Sequence, residues 1–240
     1  MASFDRLEAP RAGTRLERHG VKPGDRVRIG SVDSTGRLTP YEIGVLGGTF
    51  DPPHLGHLRL AEVAREHLRL DVVVFVPAGN PYRKAAQKGT PAHLRVRLLR
   101  AALEGMAWAE VSTVEVDTPG PSYSDETLAL LAAARPGIDT GWWFIAGSDV
   151  LADLPHWHDP RRLVELARLA IAPRAPGGRH VPAATLHAIP GIEGRIDWLP
   201  LSPLDVSSTV VRNGIAAGDS SAGVLNPRVR SLIEELGLYR

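Results

Sequence analysis

From Ile43 onward, short apolar runs alternate with segments whose apolar residues recur at helical spacing. IGVLG, VVVFVPAG, WWFIAG and LAIAP are the runs, rich in Val, Ile and Trp. This alternation predicts βαβ units around a doubly wound parallel sheet with helices on both faces, an α/β fold. Three helix starts carry a capping side chain followed by Pro: Thr90-Pro91 before AHLRVRLLRAAL, Asp159-Pro160 before RRLVELA and Asn226-Pro227 before RVRSLIEELG. Each places Pro at the first helical position. Gly237 then ends the last helix. Residues 175–194, APGGRHVPAATLHAIPGIEG, are expected to form a surface loop with at most one short strand.

Residues 1–42 stand apart. KPGDRVRIGSVDSTGRLTPYE is rich in Gly, Pro and charge and alternates only briefly around Val27 and Ile29, so it is expected to be an N-terminal appendage to a main domain over 43–240. The chain has no cysteine, which removes disulfides and thiolate chemistry and fits a reducing interior. A net charge of +1 gives no broad field for nucleic acid or an anionic membrane. The first twenty residues have no apolar core and no later run approaches a membrane span. A cytoplasmic protein is expected, with no nucleic-acid or membrane partner; a homo-oligomer is allowed by the sequence but not required.

Directly after the first apolar run stands GGTFDPPHLGH, residues 47–57. Ligands of open parallel sheets bind outside the carboxyl ends of the strands, and this stretch occupies such a position. Gly47 and Gly48 let backbone approach a ligand, while Asp51-Pro52-Pro53 stiffens the turn so that a helix begins near Leu55. His57 then falls in the first turn, where free N–H groups and the helix dipole favour phosphate. Read blandly, this is a tight βα turn with two surface or core histidines. Two His three apart, with Gly56 between them at the site-forming end of a strand, outweigh that reading. A metal site using His54 and His57, or His156 and His158, lacks the Glu of HExxH and any carboxylate cluster beside the histidines.

GGTFDPPHLGH resembles the HxGH signature of the adenylyl- and cytidylyltransferase superfamily, and SSTVVR at 207–212 resembles the SSTxxR motif of its adenylyltransferases. Several blocks resemble bacterial nicotinate mononucleotide adenylyltransferases in particular. VVVFVPAGNPYRK is similar to their second strand and PPHK-like loop, with Lys84 keeping the cation and Arg83 in place of His. GPSYSDETL resembles SYTxDTL, with Ser124 for Thr and Glu126 for Asp. FIAGSDVLADLPHWHDPRRLVELARLAIAPR is similar to the GxD block, its tryptophan and the strand ending in Arg-Pro-Gly, here interrupted by Ala175; LNPRVRSLIEELGLYR matches the closing Gly-Leu-Tyr helix. Phosphopantetheine adenylyltransferases share the phosphate motifs but are shorter and lack the later blocks. The resemblance implies a Rossmann-like fold and adenylyl transfer from ATP to nicotinate mononucleotide, giving nicotinate adenine dinucleotide and pyrophosphate in NAD biosynthesis.

Such chemistry needs no protein nucleophile, because the attacking phosphate is already an anion; positioning and charge stabilisation suffice. His57 and His54 are expected to donate to the α-phosphate and its neighbours, phosphate charge favouring their protonated form. With Arg212 they form the expected catalytic set. Gly47, Gly48, Thr49, Phe50, Gly56, Gly147, Asp149, Ser207, Ser208 and Thr209 complete the expected ATP contacts. One hydroxyl of Ser207-Ser208-Thr209 can be explained as an N-cap, but Arg212 one turn on can reach the β- and γ-phosphates. Asp149 is read as the N-cap of a short helix or, by resemblance, as the ribose acceptor. The resemblance stacks Trp157 on the pyridine and puts Tyr123, Ser124, Lys84 and Arg174 on the acceptor side. Trp108, Trp142 and Trp143 read as packing residues, and Trp198 as part of a strand. Mg²⁺ is expected with ATP, liganded mainly by water and phosphate; no protein-only metal cage is visible. Nicotinamide mononucleotide or phosphopantetheine as acceptor, a catalytically silent nucleotide-binding module and a metal-dependent hydrolase are the competing readings.

Overall fold

The apolar runs assemble into one sheet because each is flanked by helices that cover both of its faces. The structure is a computed structural model and describes residues 31–32, 38–80, 89–136, 139–174, 178–202, 206–218 and 223–240. Strands β1 (Ser31–Val32) and β2 (Leu38–Thr39) pair antiparallel with one another. The main sheet contains β3 (Tyr41–Gly48), β4 (Val72–Pro77), β5 (Ala109–Val111), β6 (Thr140–Gly147), β7 (Arg168–Ala172) and β8 (Ile196–Trp198). All of its pairings are parallel and its order is β5-β4-β3-β6-β7-β8. That is the doubly wound, Rossmann-like order, and the winding reverses between β3 and β6. Two adjacent strands there send their following loops to opposite faces, which opens a crevice at their carboxyl ends.

The four inner strands, β3, β4, β6 and β7, divide their side chains between two cores. In β4, Val73 and Phe75 face one core, and Val72, Val74 and Val76 face the other. The first core is covered by α1 (Leu55–Leu68), α2 (Ala92–Leu103), α8 (Ser208–Ala216) and α9 (Pro227–Leu236), through residues such as Leu58, Leu98, Leu99, Val211 and Ile233. The second lies under α4 (Ser124–Ala133), α5 (Asp149–Asp153), α6 (Pro160–Leu166) and α7 (Ala183–Ala188), through Leu128, Leu151, Leu163 and Ile189. A short helix α3 (Val114–Asp117) follows β5. This two-sided burial is why the strands read as nearly unbroken apolar runs. Gly44 belongs to the same economy of space: a Cβ there would stand 2.7 Å from Ile145 Cδ1 and Leu70 Cδ1.

Two of the three expected caps form as read. Asp159 accepts from the Arg162 amide and Asn226 from the Arg228 amide, with Pro160 and Pro227 in the first turn; Gly237 ends α9 at φ 62°. The third differs. Pro91 is itself the N-cap of α2, extended at ψ 139°, because Thr90 is committed elsewhere: its amide donates to Asp51 and its carbonyl accepts from Arg95. Residues 178–194 also depart from the expected loop. They fold into α7 and a 3-10 turn at Ile192–Arg195, held by the wholly buried Thr185, whose hydroxyl donates to the Leu151 carbonyl at 2.6 Å, and by buried Ile189 and Ile192. Trp198 lies in β8 as expected, and Trp108, Trp142 and Trp143 pack at the core margins. Among the described residues no helix is long and apolar enough to cross a membrane.

These roles differ in size. Phe75 is fully buried, so Phe75→Ala should cost about 3–5 kcal/mol, whereas Asn226→Ala, which removes only a cap, should cost about 1 kcal/mol. Urea unfolding midpoints separate the two.

Candidate active site

The turn after β3 is built around two stacked imidazoles. Phe50 takes a left-handed φ of 49°, the Asp51–Pro52 peptide is cis, and the extended His54 caps α1. The His54 and His57 rings stack at 3.8 Å, and the His54 amide donates to His57 Nδ1 at 3.2 Å. Nδ1 is therefore the acceptor, and the neutral ring carries its proton on Nε2. Phe50 packs its wholly buried ring edge-on against His57 at 4.9 Å, so its side chain supports the histidine and does not face the crevice. Gly56 is required by close approach: a Cβ would lie 2.7 Å from Val206 and 3.0 Å from the His54 ring. At Gly47 a Cβ would meet no described residue within 4 Å, so that backbone is open.

Burial lowers the His57 pKa to about 3, helped by His54 and Arg174, and lowers His54 to about 4, helped by Arg174. With no phosphate beside them, desolvation and the neighbouring cation act in the same direction and favour the neutral rings. Both rings are neutral. His54 Nδ1 is buried with no hydrogen-bond partner among the described residues.

SSTVVR folds directly onto this turn. Ser207 caps α8 by accepting from the Val210 amide at 3.3 Å. The Ser208 hydroxyl donates to the Pro52 carbonyl at 2.9 Å, and Arg212 donates to the Asp51 carbonyl at 2.7 Å and to Thr209 Oγ1 at 3.3 Å. Thus two motifs about 150 residues apart in sequence share one set of hydrogen bonds.

Three further residues secure the turn, none given a site role in the sequence analysis. Asp51, 7% exposed, accepts from the Tyr239 hydroxyl at 2.6 Å and the Thr90 amide at 3.1 Å. Burial and the Asp51 carboxylate push the Tyr239 hydroxyl well above its usual pKa. Arg95 is 6% exposed and donates to the carbonyls of Thr49 at 2.7 Å, Ala78 at 2.6 Å and Thr90 at 3.0 Å. A signal for Arg95 did exist: it lies on the apolar stripe of α2 with Leu98, Leu99 and Ala102, while Arg97 and Arg100 are exposed.

Across the switch point, Asp149 opens α5 immediately after β6. It does not cap that helix, because Ser148 precedes it at the N-cap. Its carboxylate accepts from Arg174 Nε at 2.9 Å, and the Arg174 amide donates to Ser148 Oγ at 3.0 Å. Gly147 leaves room for this exposed pair, since a Cβ would stand 2.6 Å from Arg174 Nε. β3, β6 and β7 are parallel neighbours, so their carboxyl ends lie on one side of the sheet, and Arg174 there lowers both histidine pKa values. Lys84 and Arg83 lie outside the described residues.

A second group lies at the start of α4. Tyr123 stacks on His158 at 4.2 Å, and half-buried Trp157 meets Phe144 edge-on at 5.8 Å. Ser124 is the first residue of α4, Glu126 is exposed, and Asp125 is buried. Glu115 joins this region to the end of β4: its carboxylate accepts from Thr127 Oγ1 at 2.8 Å, and burial raises its pKa against hydrogen bonds from Thr127, Ser122 and the Gly79 amide. Among the described residues no three His, Cys, Asp or Glu side chains converge as metal ligands.

The sequence profile of the cytidylyltransferase-like family matches residues 45–214. A "probable nicotinate-nucleotide adenylyltransferase" of Thermomicrobium roseum is 38% identical over 199 residues, spanning 82% of this chain and 91% of that protein. One of the same name from a Roseiflexus species is 39% identical over 203 residues, spanning 85% of this chain and all of its own. Among solved structures, the nicotinic acid mononucleotide adenylyltransferase of Plasmodium falciparum complexed with NaAD shares the fold at a TM-score of 0.63 and 17% identity, covering 82% of this chain and 97% of that one.

The buried histidines set a pH dependence. A folded-state pKa below the ordinary 6.5 means that the unfolded chain binds the extra protons, so the stability contributed by neutral His54 and His57 is complete above that pH and lost as pH falls through about 4 and 3. His57→Asn, whose Oδ1 can take over the acceptor position, should lose less stability than wild type on acidification. Urea titrations at a series of pH values measure the difference; parallel curves would refute it.

Proposed function

This chain belongs to the cytidylyltransferase-like family, in its nicotinate-nucleotide adenylyltransferase branch, and we infer that it transfers the adenylyl group of ATP to nicotinate mononucleotide. The acceptor's 5′-phosphate oxygen forms a bond to the α-phosphorus of ATP as the bond from that phosphorus to the β-phosphate oxygen breaks. The products are nicotinate adenine dinucleotide and pyrophosphate. The observation that carries this reading is the joining of the GGTFDPPHLGH turn to SSTVVR through Ser208 and Arg212 at the carboxyl end of β3. That arrangement gathers phosphate donors from both ends of the domain at a helix N-terminus.

In this reading His57 gives its Nε2–H to the α-phosphate, where charge grows as the new bond forms, and His54 serves the neighbouring phosphates. A neutral imidazole suits this role, because it donates and its burial means that the hydrogen bond forms in a site of low dielectric. Arg212, Thr209 and the α8 N-terminus take the β- and γ-phosphates, with the open backbone of Gly47 and its neighbours at the α-phosphate. Asp149 accepts from the ribose in exchange for part of its pairing with Arg174. Trp157 stacks on the pyridine, and Tyr123 and Ser124 hold its carboxylate side, with Lys84 and Arg174 as acceptor-side cations.

Mg²⁺ arrives on the phosphates of ATP. The donor set fits that arrangement, since the residues facing the crevice are hydrogen-bond donors for phosphate and not a carboxylate cage. When bound, the ion neutralises phosphate charge. We read residues 43–240 as the catalytic domain and 1–42 as an appendage, supported by the pairing of β1 with β2 among the described residues; Tyr41 and Glu42, at the junction, already pair with β6 in the main sheet. The absence of cysteine supports a cytoplasmic setting.

Pyrophosphate release from ATP and Mg²⁺ with nicotinate mononucleotide, nicotinamide mononucleotide or phosphopantetheine tests the assignment. Nicotinate mononucleotide should react with the highest kcat/KM, and reaction with phosphopantetheine alone would overturn it. His57→Ala should lower kcat roughly 10²-fold or more, the loss expected for one transition-state donor. Turnover at the wild-type rate would remove His57 from its role.

A further inference from the structure

Asp125 is a charged residue in a place of burial. It is 3% exposed on the inner stripe of α4 with Leu128 and Leu131, yet its carboxylate reaches out of that helix. One oxygen lies 3.3 Å from His158 Nδ1 and the other accepts from Arg162 Nη1 at 3.3 Å. Both partners are about half exposed. A buried carboxylate is costly unless paired, so the arrangement persists only while residues 158–162 lie against α4.

We propose that Asp125 is a positioning residue that latches together the two walls of the pyridine site, the Tyr123–Ser124 turn and the segment carrying Trp157. The inference rests on the acceptor reading given above, which assigns those two walls to the nicotinate ring. The two walls are separate pieces of chain. Tyr123 and Ser124 begin α4, whereas Trp157 follows the 3-10 turn at Leu154–His156 and precedes α6. The segment's local bonds, from the Trp157 amide to the Leu154 carbonyl and from the Arg162 amide to Asp159, fix its own shape and not its distance from α4. Asp125 supplies the cross-connection. It grips the residue next to Trp157 and another one turn into α6, and the Tyr123–His158 stack closes the same seam. None of these bonds involves the phosphate turn, so their energy is directed at the acceptor alone.

The effect should therefore appear as a split between the two substrates. For Asp125→Asn and, independently, for His158→Phe, which retains a ring over Tyr123 but loses the hydrogen bond, KM for nicotinate mononucleotide should rise about tenfold, with KM for ATP changed less than about twofold. His158 is exposed enough that its variant does not depend on refolding the core. A second readout is the quenching of Trp157 fluorescence by nicotinate mononucleotide, isolated by subtracting Trp157→Phe, whose midpoint should shift by the same factor. Unchanged acceptor KM in both variants overturns the latch, as does an equal rise in both KM values with a lowered melting temperature. Wild-type protein is assayed first. If it does not use nicotinate mononucleotide, the acceptor reading fails and the latch fails with it; if it does and the variants match it, the latch alone fails.

Discussion

The guanidinium of Arg95 holds the ends of three chain segments at one point. Its donors meet the carbonyls of Thr49 after β3, Ala78 after β4 and Thr90 before α2. Loops at the carboxyl end of a parallel sheet have no ladder to fix them, and their carbonyls need partners once buried. A planar group with five donors can serve several carbonyls from different directions, which a lysine cannot. Burial lowers the pKa of Arg95 and the Asp51 carboxylate opposes that fall, so its charge is supported from the turn that it organises. Asp51 then passes the constraint onward to Thr90 and Tyr239, and its carbonyl to Arg212.

What emerges is a site fixed mostly by interactions with backbone. Ser208 and Arg212 bind the carbonyls of Pro52 and Asp51, and His57 binds the amide of His54. For phosphoryl transfer this is an apt division, because the reaction asks for little chemistry from side chains and much accuracy in the placing of donors. The neutral histidines fit the same scheme. His57 accepts from the His54 amide and both rings are neutral through burial, so they too are placed by backbone and packing.

The fold was legible because its signals are periodic and cumulative. Four apolar runs with helical intervals specify a parallel sheet whichever caps hold the helices, so the displaced N-cap at Pro91 left the architecture untouched. Weak local signals were less informative. Residues 183–188 form α7 through the burial of Thr185, Ile189 and Ile192, a tertiary contact invisible in a stretch dense with Gly and Pro. At the site, residues with a motif stood out: His54, His57, Ser208 and Arg212 converge. Arg95, Asp51 and Asp125 did not, since a charged residue in a helix or turn is ordinarily solvated. Each was marked only by its position on a stripe or turn that packing buries, and its partners lie on other elements.

The hydroxyl of Tyr239 reaches an aspartate 188 positions earlier in the chain. On a ribosome, β3, its turn and α1 emerge long before the residue that completes their hydrogen bonding. Until then the Oδ1 of Asp51 must be satisfied by water while Oδ2 can already accept from the Thr90 amide, and the long loop to be closed is set against a single contact and the packing of α9. The nucleotide crevice is consequently an early structure with a late finish. A nascent chain can have its strands in order well before it has a competent site, and the readiness of the active centre reports on the folding of the whole domain.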